Sequence, residues 1–237
     1  MGRRHARAWF SEFAGTTVLL FTAVLVSRWL FGPHSELASA VTGLPGRMAI
    51  TGLAIGAVIG LLIISPFGSS SGGHFNPAVT VTLWLLSGLT GRDAVAFIAA
   101  QLAGSLAGVM LARAVLGAVV ANPAVGYAAI QPAAGWSGSA VFAVEAISLA
   151  VLMAWVVAFL VRPALERWTP AVCASGVAVL IFAGGLSSGG SFNPARQFGP
   201  LLLAGQFSYL WAYLLGPMSG AIILAALASK RLPQPIT

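Results

Sequence analysis

One short stretch occurs twice in this chain and limits its possible folds. SGGHFNPAVT occupies 71–80 and SGGSFNPARQ occupies 188–197, and seven of the first eight positions agree at an offset of 117 residues. Gly-Gly allows backbone to approach backbone closely, Asn is a favoured helix N-cap, and Pro fits the first helical turn, where its missing N–H is not needed. Helices are therefore expected to begin at Asn76-Pro77-Ala78 and at Asn193-Pro194-Ala195. The apolar run behind each start is brief: 77–87 stops at Gly88 and 194–204 stops at Gly205. Such a run rises about 16 Å, roughly half of a ~30 Å hydrocarbon core. Two of these half-helices cross a bilayer only by meeting end to end.

A bilayer is the expected solvent. Charged residues make up 7% of the 237 positions and hydrophobic ones 58%, far from the balance of a soluble domain. Hydropathy places spans near 9–31, 47–65, 94–117, 139–160, 171–186 and 207–229. The half-helices fall between the second and third spans and between the fifth and sixth. The order span, span, half-helix, span therefore runs twice. Each half holds an odd number of spans, so the second enters the membrane inverted relative to the first, and such folds keep their sites at the midplane where broken helices meet. The predicted class is an all-α membrane protein with six transmembrane helices and two half-helices in an inverted repeat. It is expected to form a single transmembrane domain over 1–237, with a first half at 1–120, a linker at 121–138 and a second half at 139–237. Arg3, Arg4 and Arg7 before an apolar run resemble a secretory leader, but the run reaches Leu30 and contains Glu12, so a retained first span is expected.

The net charge of +7 belongs to loop ends and not to a nucleic-acid surface. Arg3, Arg4, Arg7, Arg92, Arg162, Arg167, Lys230 and Arg231 fall on one side of the predicted topology, against Arg28, Arg47 and Arg113 on the other, which makes both termini cytoplasmic. Cys173 is the single cysteine; it excludes an intrachain disulfide and a cysteine-based metal site and reads as a small apolar residue in a helix. No metal or cofactor site is expected. A third Asn-Pro-Ala at Asn122–Ala124 lacks the Ser-Gly-Gly lead-in and is followed by Pro132, so it reads as a turn. Trp9, Trp29, Trp136 and Trp168, near span ends, read as interfacial anchors.

Opposed half-helices point two N-termini, each with about half a positive charge, at the bilayer centre. A cation is repelled there, whereas a neutral hydrogen-bonding molecule meets the Asn76 and Asn193 amides. Glu12 and Glu145 open equivalent spans, and as buried carboxylates they are expected to accept hydrogen bonds from half-helix and loop N–H groups; a proton relay is the sharper, less favoured reading. His74 sits in a carbonyl-rich loop, where it can brace the backbone.

The paired HFNPAVT and SFNPARQFGP segments resemble the major intrinsic protein family, the aquaporins and aquaglyceroporins, and the resemblance extends from Glu12 through Gly216-Pro217. It implies a right-handed helical bundle with one pore per subunit in a homotetramer, and it assigns Arg196 as the filter arginine, with Ile181 and Gly190 in the same constriction. Counting back from Asn76 without a gap gives Gly56 as the fourth member, and Thr51-Gly52-Leu53 is the shifted alternative. Gly52, Gly56 and Gly60 also form a small-residue stripe suited to helix packing. Gly73, His74 and Ser191 are implied to line the pore along with carbonyls of 68–75 and 184–192. Strict water channels carry a bulky aromatic and a histidine where this chain has Gly56 and Ile181, which implies a wider constriction. Ile181, Gly190 and Arg196 resemble plant vacuolar members, and two glycines resemble members passing silicic or boric acid. Gln197 stands where glycerol facilitators have aspartate; Tyr213 is similar to water-type members and Leu214 to facilitators.

The expected function is passive conduction of water and small neutral solutes across the bilayer, with protons and ions excluded. A facilitator chiefly for glycerol, urea or neutral metalloid acids is the alternative, and a coupled secondary transporter a remote one. No nucleophile–base pair or metal set for an enzyme is found. The short tails and Ala, Gly and Arg richness suggest a bacterial inner membrane.

Overall fold

The computed structural model describes residues 3–86 and 89–230; Gly88, the expected stop of the first half-helix, and Arg231, one of the loop charges, lie outside them. Helices run over α1 (Arg3–Phe31), α2 (Glu36–Ala40), α3 (Leu44–Ile64), α4 (Pro66–Ser71), α5 (Pro77–Leu86), α6 (Gly91–Leu116), α7 (Gly138–Leu160), α8 (Thr169–Gly184), α9 (Pro194–Ala204) and α10 (Leu210–Ser229). Among the described residues, six helical segments are long and apolar enough to cross a membrane, and α5 and α9 are the two half-helices expected at the duplicated stretch. The described residues contain no strand.

Local chemistry fixes many of the helix ends. Thr90 and Ser137 cap α6 and α7 through their hydroxyls, which accept from Asp93 N and Ala140 N. The short α4 follows the same rule: Ser65 accepts from Phe67 N, Pro66 opens the first turn, and Gly72 ends it at φ 92°. The third Asn-Pro-Ala closes a turn, with Asn122 Oδ1 accepting from Ala124 N at 2.9 Å.

Packing is helix on helix at close range, with glycine at the contacts. A Cβ on Gly104 would lie 2.5 Å from the Phe13 carbonyl oxygen, and one on Gly108 would collide with that of Thr17, so α6 lies tight against α1. Gly216 and Gly220 do the same for α10 against Phe142 and Ala146 of α7. Gly52, Gly56 and Gly60 press α3 onto Ala178 and Ala174 of α8. Small residues in these rows gain dispersion contacts that a bilayer does not otherwise drive. Large apolar side chains such as Leu53, Val95, Ile147 and Leu215 point outward and are more than half exposed, a surface matched to lipid and not to water.

One charged cluster ties α1 to α6. The Asp93 carboxylate receives Trp9 Nε1 at 3.0 Å and Thr90 Oγ1 at 2.8 Å, and His5 Nδ1 lies 2.9 Å away. Asp93 is 7% exposed, so it joins Glu12 and Glu145 as a buried carboxylate, one that the sequence reading did not pick out. Trp9 therefore has a protein partner for its N–H.

Candidate functional site

Both copies of the duplicated stretch fold onto a buried carboxylate. Glu12 on α1 accepts from Ser71 Oγ at 2.6 Å and His74 N at 3.0 Å through one oxygen, and from Phe75 N and Gln101 Nε2, each at 2.7 Å, through the other. Glu145 on α7 accepts from Ser188 Oγ at 2.7 Å, Ser191 N at 3.1 Å and Phe192 N. Both carboxylates are fully buried, and charge-assisted bonds of this kind are about twice as strong as neutral ones. They hold a backbone that is otherwise unfavourable: Phe75 and Phe192 sit at φ 46° and 34°, where a side chain costs of order 1–3 kcal/mol. The expected role of Glu12 and Glu145 as acceptors for loop N–H groups is what the geometry shows.

With the loops so held, the two half-helix starts meet. Asn76 Oδ1 accepts from Ala78 N at 2.9 Å, and Asn193 Oδ1 accepts from Ala195 N at 3.0 Å and Arg196 N at 3.3 Å. Each amide nitrogen then reaches across: Asn76 Nδ2 donates to the Phe192 carbonyl and Asn193 Nδ2 to the Phe75 carbonyl, both at 3.0 Å. An amide has two N–H groups, so each asparagine keeps a second one for the cavity that both line. Ser105 on α6 fastens α9 beside them, donating to the Ala195 carbonyl and accepting from Gly199 N.

That cavity has a volume of about 330 Å³. It runs from His74, Val79 and Cys173 past the asparagines to the end of the bundle formed by the 117–137 connection. Arg196, Ile181, Gly190 and Ser191 line it, as does His74. Arg196 Nη1 donates to the Ala128 carbonyl at 2.8 Å, and Gln197 brackets Ile130, accepting from its N at 3.1 Å and donating to its O at 3.0 Å. Gln197 is thus the strap that holds the connecting segment over Arg196, a role sequence reading missed because Ile130 is 67 residues away. Gly190 stands at φ 69°, with an added Cβ 3.1 Å from Ile181 Cα, so only glycine fits there. Tyr213 is fully buried and donates to the Ser188 carbonyl, behind the loop and not in the cavity lining.

The expectation for Gly56 is not met. A Cβ there would collide with the Ala174 carbonyl oxygen, so this position faces α8. The cavity face of α3 carries Met48, Thr51, Ile55 and Ile59. Thr51, the shifted alternative, is among the α3 residues that share the cavity with Arg196, Ile181 and Gly190. Between α3 and the loop stands α4, a helical turn with no counterpart between α8 and α9, which an ungapped count does not allow for.

A second cavity, about 460 Å³, opens toward the end that bears the termini, and Gly73, His74, Leu89 and Thr169 are among its lining residues. His74 Nδ1 lies 3.1 Å from Thr80 Oγ1, and the ring stands edge-on to Phe97 at 5.2 Å. It is therefore braced and cavity-facing at once.

Comparisons with known proteins agree with this architecture. The sequence model of a family described as "Major intrinsic protein" matches residues 3–228. The chain is 31% identical over 224 residues to a protein from Oryza sativa subsp. japonica named "Probable aquaporin TIP4-1", covering 90% of this chain and 82% of that one. It is 30% identical over 221 residues to "Glycerol uptake facilitator protein-like 6" of Lactiplantibacillus plantarum, covering 92% and 95%. The fold is similar to that of the aquaglyceroporin from Plasmodium falciparum, with a TM-score of 0.76 at 20% identity over 95% of this chain and 96% of that one.

Proposed function

The chain belongs to the major intrinsic protein family, and from that premise we propose that its two cavities form one passive path for water and small uncharged solutes. It is a membrane channel and not an enzyme. The observation that carries the reading is the pair of crossed asparagine bonds, which hold two half-helix N-termini nose to nose at a cavity-lining point. A water there finds donors on both asparagines and so accepts twice. Its own hydrogens must then point away along the path in both directions, which breaks a proton wire. The two helix ends and the Arg196 guanidinium add positive potential that turns cations back.

Thr51, Ile181, Gly190 and Arg196 form the narrow filter at the linker end, with Gly73, His74 and Ser191 lining the path. Support for the filter is their shared cavity and the straps from Ala128 and Gln197. A facilitator role for glycerol, urea or neutral metalloid acids is the second reading. It is favoured by one observation: none of the four filter residues is aromatic, Arg196 being joined by Thr51, Ile181 and Gly190. The halves 1–120 and 139–237 act as an inverted pair in a homotetramer, with both termini cytoplasmic in a bacterial inner membrane. The lipid-suited exterior and the distribution of arginines support this placement.

Stopped-flow light scattering on proteoliposomes tests the reading. Osmotic shrinkage well above that of empty vesicles is expected, without a change in internal pH under a proton gradient. Swelling in glycerol, urea or boric acid decides between the water-selective and the facilitator form. Water permeability equal to that of empty vesicles would refute the channel.

A further inference from the structure

The two cavities share three lining residues: His74, Val79 and Cys173. That is where one ends and the other begins, and it lies on the opposite side of the asparagines from Arg196. On α8, Thr169, Cys173, Val177 and Ile181 recur at every fourth position and all face one cavity or the other, so a single helix face follows the path. Cys173 precedes Ile181 by eight residues, which separates the two levels by about 12 Å along the helix.

We propose that Cys173, with His74 and Val79, forms a second constriction of the path, and that Cys173 is a specificity-determining residue of this channel. The inference rests on reading the joined cavities as the conduction path. Two sides of the neck are fixed. His74 is held by Thr80 and Phe97, and Val79 lies in the first turn of α5, whose start is tied down by Asn76. Cys173 is a free thiol on the third side, so its volume sets the aperture. Its chemistry sets the selection. A thiol is a weak hydrogen-bonding group and valine offers none, so a solute in the neck finds its strong side-chain partner only in the His74 imidazole. Water, with few groups to satisfy, crosses at small loss, whereas a polyol must leave several hydroxyls unpaired, each at roughly 1–3 kcal/mol. Size and charge are screened at Arg196 and hydrogen-bonding capacity at Cys173.

Two measurements on the full-length protein in proteoliposomes test this. Cys173→Ser keeps the shape at a slightly smaller size and supplies a hydroxyl; the ratio of glycerol to water permeability is expected to rise about threefold or more, with water itself altered by less than about twofold. An unchanged ratio overturns the specificity role. Wild-type protein is also treated with benzyl methanethiosulfonate, whose transfer of a benzylthio group to the Cys173 sulfur releases methanesulfinate. Mass spectrometry reads the occupancy and dithiothreitol reverses it. Stoichiometric modification is expected to lower water permeability by about tenfold and reduction to restore it. Full conduction by modified protein, or a thiol that takes no label, overturns the constriction alone. Wild-type vesicles no faster than empty ones overturn the conduction path and the constriction with it.

Discussion

Asn76 and Asn193 each bind the other's loop: Asn76 Nδ2 donates to the Phe192 carbonyl and Asn193 Nδ2 to the Phe75 carbonyl, at the same 3.0 Å. The two half-helices are therefore coupled through the residues that start them. Asn193→Asp keeps the capping oxygen but replaces the donor with a charged acceptor that faces the Phe75 carbonyl. A loss of about 1–3 kcal/mol is expected from the buried Phe75 carbonyl left unpaired, read as a lower unfolding temperature in detergent. Asn193→Ala also removes the cap and should cost about 1 kcal/mol more.

Thr51 and Gly56 separate by opposite outcomes. Thr51→Phe is expected to fold and to reduce glycerol entry by about tenfold while water still passes. Gly56→Phe drives a ring into the Ala174 backbone and should destabilise the bundle by about 3 kcal/mol or more, seen as loss of monodisperse protein. A stable Gly56→Phe protein with narrowed selectivity would return Gly56 to the filter.

Arg196→Ala removes the charge and the bond to the Ala128 carbonyl. It is expected to admit larger neutral solutes and to leak cations or protons, measured with a pH-sensitive dye inside the vesicles. Gln197→Leu keeps Arg196 but frees Ile130, so solute selectivity should loosen while cation exclusion holds. Unchanged selectivity in Arg196→Ala would take that residue out of the filter.

Glu12 and Glu145 differ in how much they carry. Glu12 receives four donors, and Glu145 receives the Ser188 hydroxyl and two backbone N–H groups. Replacement by Gln turns one acceptor oxygen into a donor facing those groups, at about 2–4 kcal/mol. Glu12→Gln is therefore expected to lower the unfolding temperature more than Glu145→Gln. Equal shifts would mean that the Gln101 bond adds nothing.

The sequence by itself determined whatever is local or counted along the chain. The duplicated Asn-Pro-Ala, the half-length apolar runs and the span order are set by capping chemistry and by length against bilayer thickness, and each needs only neighbouring residues. Glu12, Glu145, Asn76 and Asn193 were legible for that reason, whereas the role of Arg196 came from the family resemblance. Tertiary structure alone decided which face of each helix meets the cavity. On α3 the glycine row and the row through Thr51 are both free of charge, so nothing in their chemistry says which one faces α8; the close approach to Ala174 and Ala178 made that choice and turned Thr51 inward. The same holds for Cys173, an unremarkable helical residue until α8 is placed across the cavity from Val79 of α5, and for Gln197 and Asp93, whose partners on other elements are 67 to 88 residues away. Helical periodicity gives the faces, and only packing against a specific neighbour assigns them.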